Sequence, residues 1–191
     1  MNPLQTELVN VADSILIVID VQPLFVNKLE PQQQTALVER ISWLVDVAVA
    51  LDVPLVVTAE DLANCGGLMP ELAGRLPKET AVYDKQIFGL ADQADILAAV
   101  RETGRETAVL IGLETDVCVA HSALGLLQAG YKVATVVDAV GSPGLGQEIG
   151  LARMRGAGVV MLSCKSLYYE WVRTVARDNT IKKEHLLNFE L

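Results

Sequence analysis

Three side chains with complementary chemistry stand at the ends of apolar runs: Asp20, Lys85 and Cys118. A carboxylate can take a proton, an ammonium can hold developing negative charge, and a thiolate can attack a carbonyl carbon. Each also has a plainer role when taken singly. An aspartate after a strand commonly caps a turn, a lone lysine is commonly solvated, and a cysteine early in an apolar helix commonly packs as a small hydrophobe. Cys118 follows Glu114-Thr115-Asp116, where Thr115 or Asp116 can cap a helix, so the thiol falls in a first helical turn. Unpaired N–H groups there favour a thiolate and could hold the oxygen of a tetrahedral intermediate. Glu114 and Asp116 work against the thiolate, which leaves Lys85 to tip the balance. Other reagents are scarce. The histidines are His121 and His185, far apart and without carboxylates at ligand spacing, and Cys65, Cys118 and Cys164 form no Cys-x-x-Cys. Neither a metal centre nor a disulfide framework is indicated. Acid–base work falls to carboxylate, lysine or thiolate.

Those residues need elements to hold them. Residues 14–20 form a β-branched run ending in an acid, the pattern of a strand buried on both faces. Residues 35–51 repeat apolar side chains at Leu37, Ile41, Leu44, Val45 and Ala48, one face of a helix. Further strands are read at 54–58, 81–85, 107–113, 132–137 and 159–162. Helices are read at 92–101, 115–129, 146–156 and 165–177. This alternation predicts an α/β fold spanning 1–191 as a single domain: three layers, α/β/α, around a six-stranded, mainly parallel, Rossmann-like sheet. No Pro/Ser-rich linker or repeat interrupts it. In such sheets ligands bind beyond the carboxyl ends of the strands. Asp20, Thr58, Lys85, the stretch after Leu113, and Asp138 therefore share one edge. Phe25, Glu60 and Phe88, each just past such an end, are candidate substrate-binding walls; packing of the loops explains them equally well. The glycine-rich stretch 141–146 lacks the spacing of a phosphate-binding loop and reads as a turn.

Composition limits the function classes. A chain of 191 residues, 51% hydrophobic and 20% charged, is not disordered. Its 24 acidic against 15 basic residues give a net charge of −9 without a basic cluster, which argues against nucleic acid and anionic membrane partners. The longest apolar runs fall far short of the ~20 residues of a membrane span. The first 13 residues carry no Lys or Arg and so lack a leader's charged region. Three widely spaced cysteines fit a reducing, cytoplasmic compartment.

Asp20 within Ile-Val-Ile-Asp-Val-Gln, Lys85 within Asp-Lys-Gln-Ile-Phe-Gly, and Cys118 within Gly-Leu-Glu-Thr-Asp-Val-Cys-Val resemble the motifs of the isochorismatase-like cysteine hydrolases. The likeness is greatest to isochorismatase domain-containing proteins, which share Gly-x-Glu-x-x-x-Cys and a later Ala-Arg-Met-Arg, here Ala152–Arg155; it runs over residues 14–171. It implies that Asp20 takes the thiol proton and passes it to the leaving amine. Lys85 would stabilise charge, and Cys118 would form an acyl-enzyme with its oxygen held by the backbone N–H groups of Glu114 and Cys118. It implies a cis peptide at Leu113–Glu114, no cofactor, and a homo-oligomer, dimer or tetramer, built through helices near the nucleophile and residues 159–171. Departures narrow the substrate. True isochorismatases, which cleave a vinyl ether, lack the nucleophilic cysteine. The metal-binding histidines of nicotinamidases are missing from Thr58-Ala-Glu-Asp-Leu-Ala-Asn-Cys, so no metal is expected. A small-molecule amide or ureido compound is the expected substrate. The alternative is a non-catalytic binding or scaffold protein that keeps the fold.

Overall fold

The structure is a computed structural model that describes residues 6–185; residues 1–5, part of the stretch read above for a leader, and residues 186–191 lie outside them. Six strands, β1 (Ser14–Ile19), β2 (Leu55–Glu60), β3 (Val82–Lys85), β4 (Thr107–Leu113), β5 (Lys132–Gly141) and β6 (Val160–Leu162), form one sheet in the order β3-β2-β1-β4-β5-β6. Every pairing is parallel, because each crossover carries a helix and returns the chain to the same end.

The pleat divides the apolar side chains between two layers. Leu16 and Val18 of β1 join Val57, Val109 and Ile111 beneath α2 (Pro31–Ala50) and α8 (Cys164–Val172). Ile15, Ile17 and Ile19 point the other way, against Ile96 and Val100 of α5 (Ala94–Glu102), Leu126 of α6 (Ala120–Gln128) and Met154 of α7 (Gly146–Gly156). All six residues of β1 are buried, and each large aliphatic side chain so buried contributes roughly 1.5–3 kcal/mol. This explains why β1 reads as an unbroken apolar run. Trp171 and Trp43 anchor the α2/α8 layer. The indole N–H of Trp171 donates to Ser14 Oγ at 3.0 Å, and Trp43 packs against Tyr168 at 5.5 Å between centroids.

Several expected boundaries move, each for a local reason. Helix α2 starts four residues early because Pro31 opens it and the Gln33 side chain accepts from the Glu30 N–H, whereas apolar periodicity shows only from Leu37. The helix expected over 115–129 is two pieces, a π-helical turn at Thr115–Val119 followed by α6. Strand β5 continues to Gly141, so Asp138 lies inside a strand and not at its end; its carboxylate accepts the N–H of Cys164, at the start of α8. The helix expected over 165–177 breaks at Arg173, whose φ is 68° and whose guanidinium donates to the carbonyls of Leu8 and Val9. Beyond it runs α9 (Val175–His185). The stretches read as loops hold one-turn helices: α1 (Pro23–Val26), α3 (Leu62–Cys65) and α4 (Pro70–Ala73). Within residues 159–171, expected above at an interface, Tyr168 and Trp171 are buried and dock α8, while Tyr169 is exposed.

Candidate active site

The strand order reverses between β1 and β4, and such a switch point opens a crevice beyond their carboxyl ends. Asp20 follows β1 directly. Its φ of 49° turns the chain out of the sheet, a conformation aspartate tolerates better than most residues, at a cost of ~1–3 kcal/mol. Three hydrogen bonds hold it. Its N–H donates to the Thr58 carbonyl at 3.1 Å, its carbonyl accepts from the Gln22 N–H at 2.8 Å, and its Oδ1 accepts from the Thr58 hydroxyl at 2.7 Å.

Beside β1, strand β2 presents Thr58 and Glu60 on one side of the pleat, and β3 pairs Lys85 directly with Glu60. The Glu60 backbone is clamped by Gln22, which donates to the Glu60 carbonyl at 2.9 Å and accepts its N–H at 2.7 Å. Lys85 ends β3 with its side chain wholly buried, Nζ 2.9 Å from Asp20 Oδ2 and 3.3 Å from Glu60 Oε2. The contact to Asp20 Oδ2 is an ion pair without hydrogen-bond alignment, so that oxygen has no aligned donor.

Cys118 arrives from the other side of the crevice. At Gly112, the φ of +121° and the approach of β1 exclude a side chain: an added Cβ would stand 1.9 Å from the Ile19 carbonyl oxygen. The Leu113–Glu114 peptide is cis, and the π-helical turn follows, with the Glu114 carbonyl accepting from the N–H groups of Val117 and Val119. Asp116 Oδ1 accepts from the Ser142 hydroxyl at 2.6 Å, and the Thr115 hydroxyl donates to Gln147 Oε1 at 2.6 Å, which tie the turn to the end of β5 and to α7. In this setting Cys118 Sγ lies 3.6 Å from Lys85 Nζ and 3.1 Å from Glu60 Oε2.

Electrostatics works against the thiolate that the helical turn and Lys85 were expected to favour at Cys118. Burial pushes the thiol well above the usual thiol range. Asp20 pushes it further, Lys85 offsets part of this, and the hydrogen bond and charge of Glu60 add to the rise. Burial likewise raises the Asp20 carboxyl, with Lys85, Thr58 and Cys118 pulling against it. Burial opposes the Lys85 ammonium, but Asp20, Cys118 and Glu60 outweigh it and hold the ammonium above its ordinary range. Two carboxylates facing one ammonium leave no surplus positive charge for a thiolate. Oxygen and sulfur donors of Asp20, Glu60 and Cys118 lie within 4.8 Å of one another, close enough for a cation, and the Lys85 ammonium stands among them.

Asp20, Lys85 and Cys118 are thus brought together from three strand ends. Of the three candidate walls, Glu60 bonds directly into the cluster. Phe25 packs in the α2-side core, with Lys28 Nζ 4.8 Å over its ring, while Phe88 is exposed and meets His121 edge-on at 6.3 Å. The sequence places Thr58 at the same edge without a role and gives Gln22 none, yet Thr58 holds the Asp20 carboxylate and Gln22 the Glu60 backbone. The period-two spacings Asp20–Gln22 and Thr58–Glu60 are the signal that could have found them. Cys65 sits half-exposed on α3, and Cys164 is buried at the start of α8.

The sequence matches the Isochorismatase domain family over residues 14–166. The Phytophthora sojae protein described as secreted isochorismatase effector Isc1 is 30% identical over 182 residues, covering 91% of this chain and 86% of that protein. Isochorismatase domain-containing protein 2A of Mus musculus is 30% identical over 163 residues, covering 84% and 75%. Among solved structures, YcaC from Pseudomonas aeruginosa with hexane-2,5-diol and covalent acrylamide superposes with a TM-score of 0.81 at 25% identity, covering 95% of this chain and 93% of that one. Escherichia coli YcaC, described as an octameric hydrolase of unknown specificity, shares the fold with a TM-score of 0.82 at 24% identity, covering 94% and 91%. With the family matched over most of its length, the chain belongs to the isochorismatase domain family of hydrolases.

Proposed function

We propose that this hydrolase cleaves a small-molecule amide or ureido C–N bond through an acyl-enzyme on Cys118. The observation that carries the reading is the buried contact of Lys85 Nζ with both Asp20 Oδ2, at 2.9 Å, and Cys118 Sγ, at 3.6 Å. Since the thiol is protonated at rest, attack and proton transfer belong to one step. Sγ bonds the carbonyl carbon as its proton passes to Asp20, whose Oδ2 has no aligned donor to displace. The new oxyanion would be held by the backbone N–H groups of Glu114 and Cys118. Asp20 then gives the proton to the leaving nitrogen, the C–N bond breaks, and a thioester remains. Water adds to the thioester with its proton going to Asp20, and collapse returns that proton to sulfur, releasing the acid and the free thiol. Lys85 keeps its charge throughout and offsets the negative charge that moves between sulfur and carboxylate. No step calls for a metal or cofactor.

The covalent acrylamide of the Pseudomonas relative supports a nucleophile in this fold, because acrylamide is captured by nucleophilic side chains. Three unpaired cysteines support a reducing, cytoplasmic setting. No described helix is long and apolar enough to cross a membrane. Self-association into a homo-oligomer is also part of this reading, supported by the octameric description of E. coli YcaC and by exposed Leu145, Ile149 and Val175.

The test is release of ammonia or amine over a panel of small amides and ureido compounds, with Cys118→Ser as the control. Turnover by the wild type that the serine variant loses by at least ~100-fold supports the reading. No turnover across the panel overturns it in favour of a binding protein.

A further inference from the structure

The chemistry above uses Asp20, Lys85 and Cys118, and leaves Glu60 unexplained. Its position is costly unless it has a use. It adds a second carboxylate to a buried cluster that holds one ammonium, and its Oε2 lies 3.1 Å from the sulfur that must react. Asp20 and Glu60 bring two acidic groups to a single ammonium, Lys85, so the cluster is short of positive partners. Lys28, the nearby cation on the loop after α1, is already paired with Glu114 at 2.9 Å. Glu60 is also the member that reaches solvent: its side chain keeps 19% of its exposure, whereas those of Asp20 and Lys85 keep none. Gln22 fixes the Glu60 backbone at both its N–H and its carbonyl, so the carboxylate projects from a rigid strand edge and not from a free loop.

We propose that Glu60 selects the substrate by pairing with a positively charged nitrogen group, such as an ammonium, amidinium or guanidinium, placed beside the carbonyl that Cys118 attacks. A cation arriving at the mouth supplies the missing positive charge, and the half-buried position makes that pairing stronger than at an open surface. The hydrogen bond that now restrains the thiol is given up to the ligand at the same moment, leaving Asp20 Oδ2 as the acceptor of the thiol proton. The inference rests on the hydrolase reading for its place in catalysis, but the charge preference can be measured without a substrate.

The measurement is the rate at which Cys118, located by peptide mass spectrometry, reacts with two thiol reagents that share one reacting group and carry opposite charge, each rate divided by that of a small free thiol with the same reagent. These are aminoethyl and sulfonatoethyl methanethiosulfonate. In each case the sulfur displaces methanesulfinate to form a mixed disulfide, and the thiol proton is lost to the buffer. After that division, wild type reacts faster with the cationic reagent. In Glu60→Gln the ratio of the two rates falls by about tenfold or more, since one unit charge within a few ångströms of the path is removed. Any general change in thiol acidity cancels in the ratio, because the same sulfur attacks both reagents. Glu60→Asp keeps the charge and keeps the ratio within about threefold of wild type. A ratio that does not change in Glu60→Gln overturns the proposal, as does a ratio that collapses equally in Glu60→Asp. A collapsed ratio in Glu60→Gln together with a silent amide panel would remove the hydrolase reading and leave the cation preference standing. Turnover confined to neutral amides, with an unchanged ratio, would do the reverse.

Discussion

A thiol buried beside two carboxylates and one ammonium keeps its proton, and the same physics makes it a store of pH-dependent stability. Burial pushes up Cys118, with Asp20 adding, and it pushes up Cys164, with Asp138 adding through charge and a hydrogen bond. An unfolded chain loses each thiol proton near pH 8.5, whereas the folded chain holds both to higher pH. The stabilisation from these groups is complete below about pH 8.5 and declines as pH rises toward the folded values, by ~1.4 kcal/mol per pH unit for each thiol. Urea midpoints measured between pH 7.5 and 9.5 are therefore expected to fall, and Cys164→Ala is expected to remove about half of the thiol contribution. Midpoints of equal slope in the variant and the wild type would contradict this account of Cys164. At this scale the meeting of Asp20, Lys85 and Cys118 was legible in the sequence, because type and strand-end position are local properties. Protonation state was not, because it depends on burial and on Asp20 and Glu60 approaching from different strands.

At the scale of elements, the piece that carries Cys118 is held by tertiary contacts more than by its own propensity. The sequence of residues 115–129 reads as one helix, yet it begins as a π-helical turn. The side chains of Ser142 and Gln147 bond the turn, and α7 presses a glycine against it. At Gly150 an added Cβ would lie 2.7 Å from the Asp116 backbone nitrogen and Cα, atoms that cannot swing aside as a side chain could. Gly150→Ala is expected to cost ~1–3 kcal/mol, seen as a fall of roughly 2–10 °C in Tm. It is also expected to change the alkylation rate of Cys118 by iodoacetamide, because the turn must move to make room. A variant with wild-type melting and labelling would show that the turn is not braced from α7. The strands, by contrast, were readable nearly in full. Central parallel strands are buried on both faces, and a continuous run such as Ile15–Ile19 has few other structures open to it.

For the whole molecule, the open question of size has a direct readout. Leu145 and Ile149 flank the start of α7 with 73% and 59% of their surfaces exposed, and Val175 keeps 77%. Leu145 and Ile149 lie one helical turn apart, the Ile149 N–H donating to the Leu145 carbonyl, so their side chains share a face open to a second copy. Sedimentation velocity at micromolar concentration is expected to show a species several times the 20.6 kDa chain mass, and a lone monomer would refute it. Continuous apolar runs in the strands, alternating with helices of period 3.6, were enough by themselves to determine a parallel α/β sheet and to put Asp20, Lys85 and Cys118 at its carboxyl edge. Only the tertiary structure decided that Glu60 belongs with them, that Gln22 and Thr58 aim the carboxylates, and that Asp138 caps a helix inside the fold. The physical reason is range. Periodicity records which face of its own element a side chain takes, but hydrogen bonds and charge balance are set by atoms about 3 Å apart in space, here contributed by strands that lie dozens of residues apart in the chain.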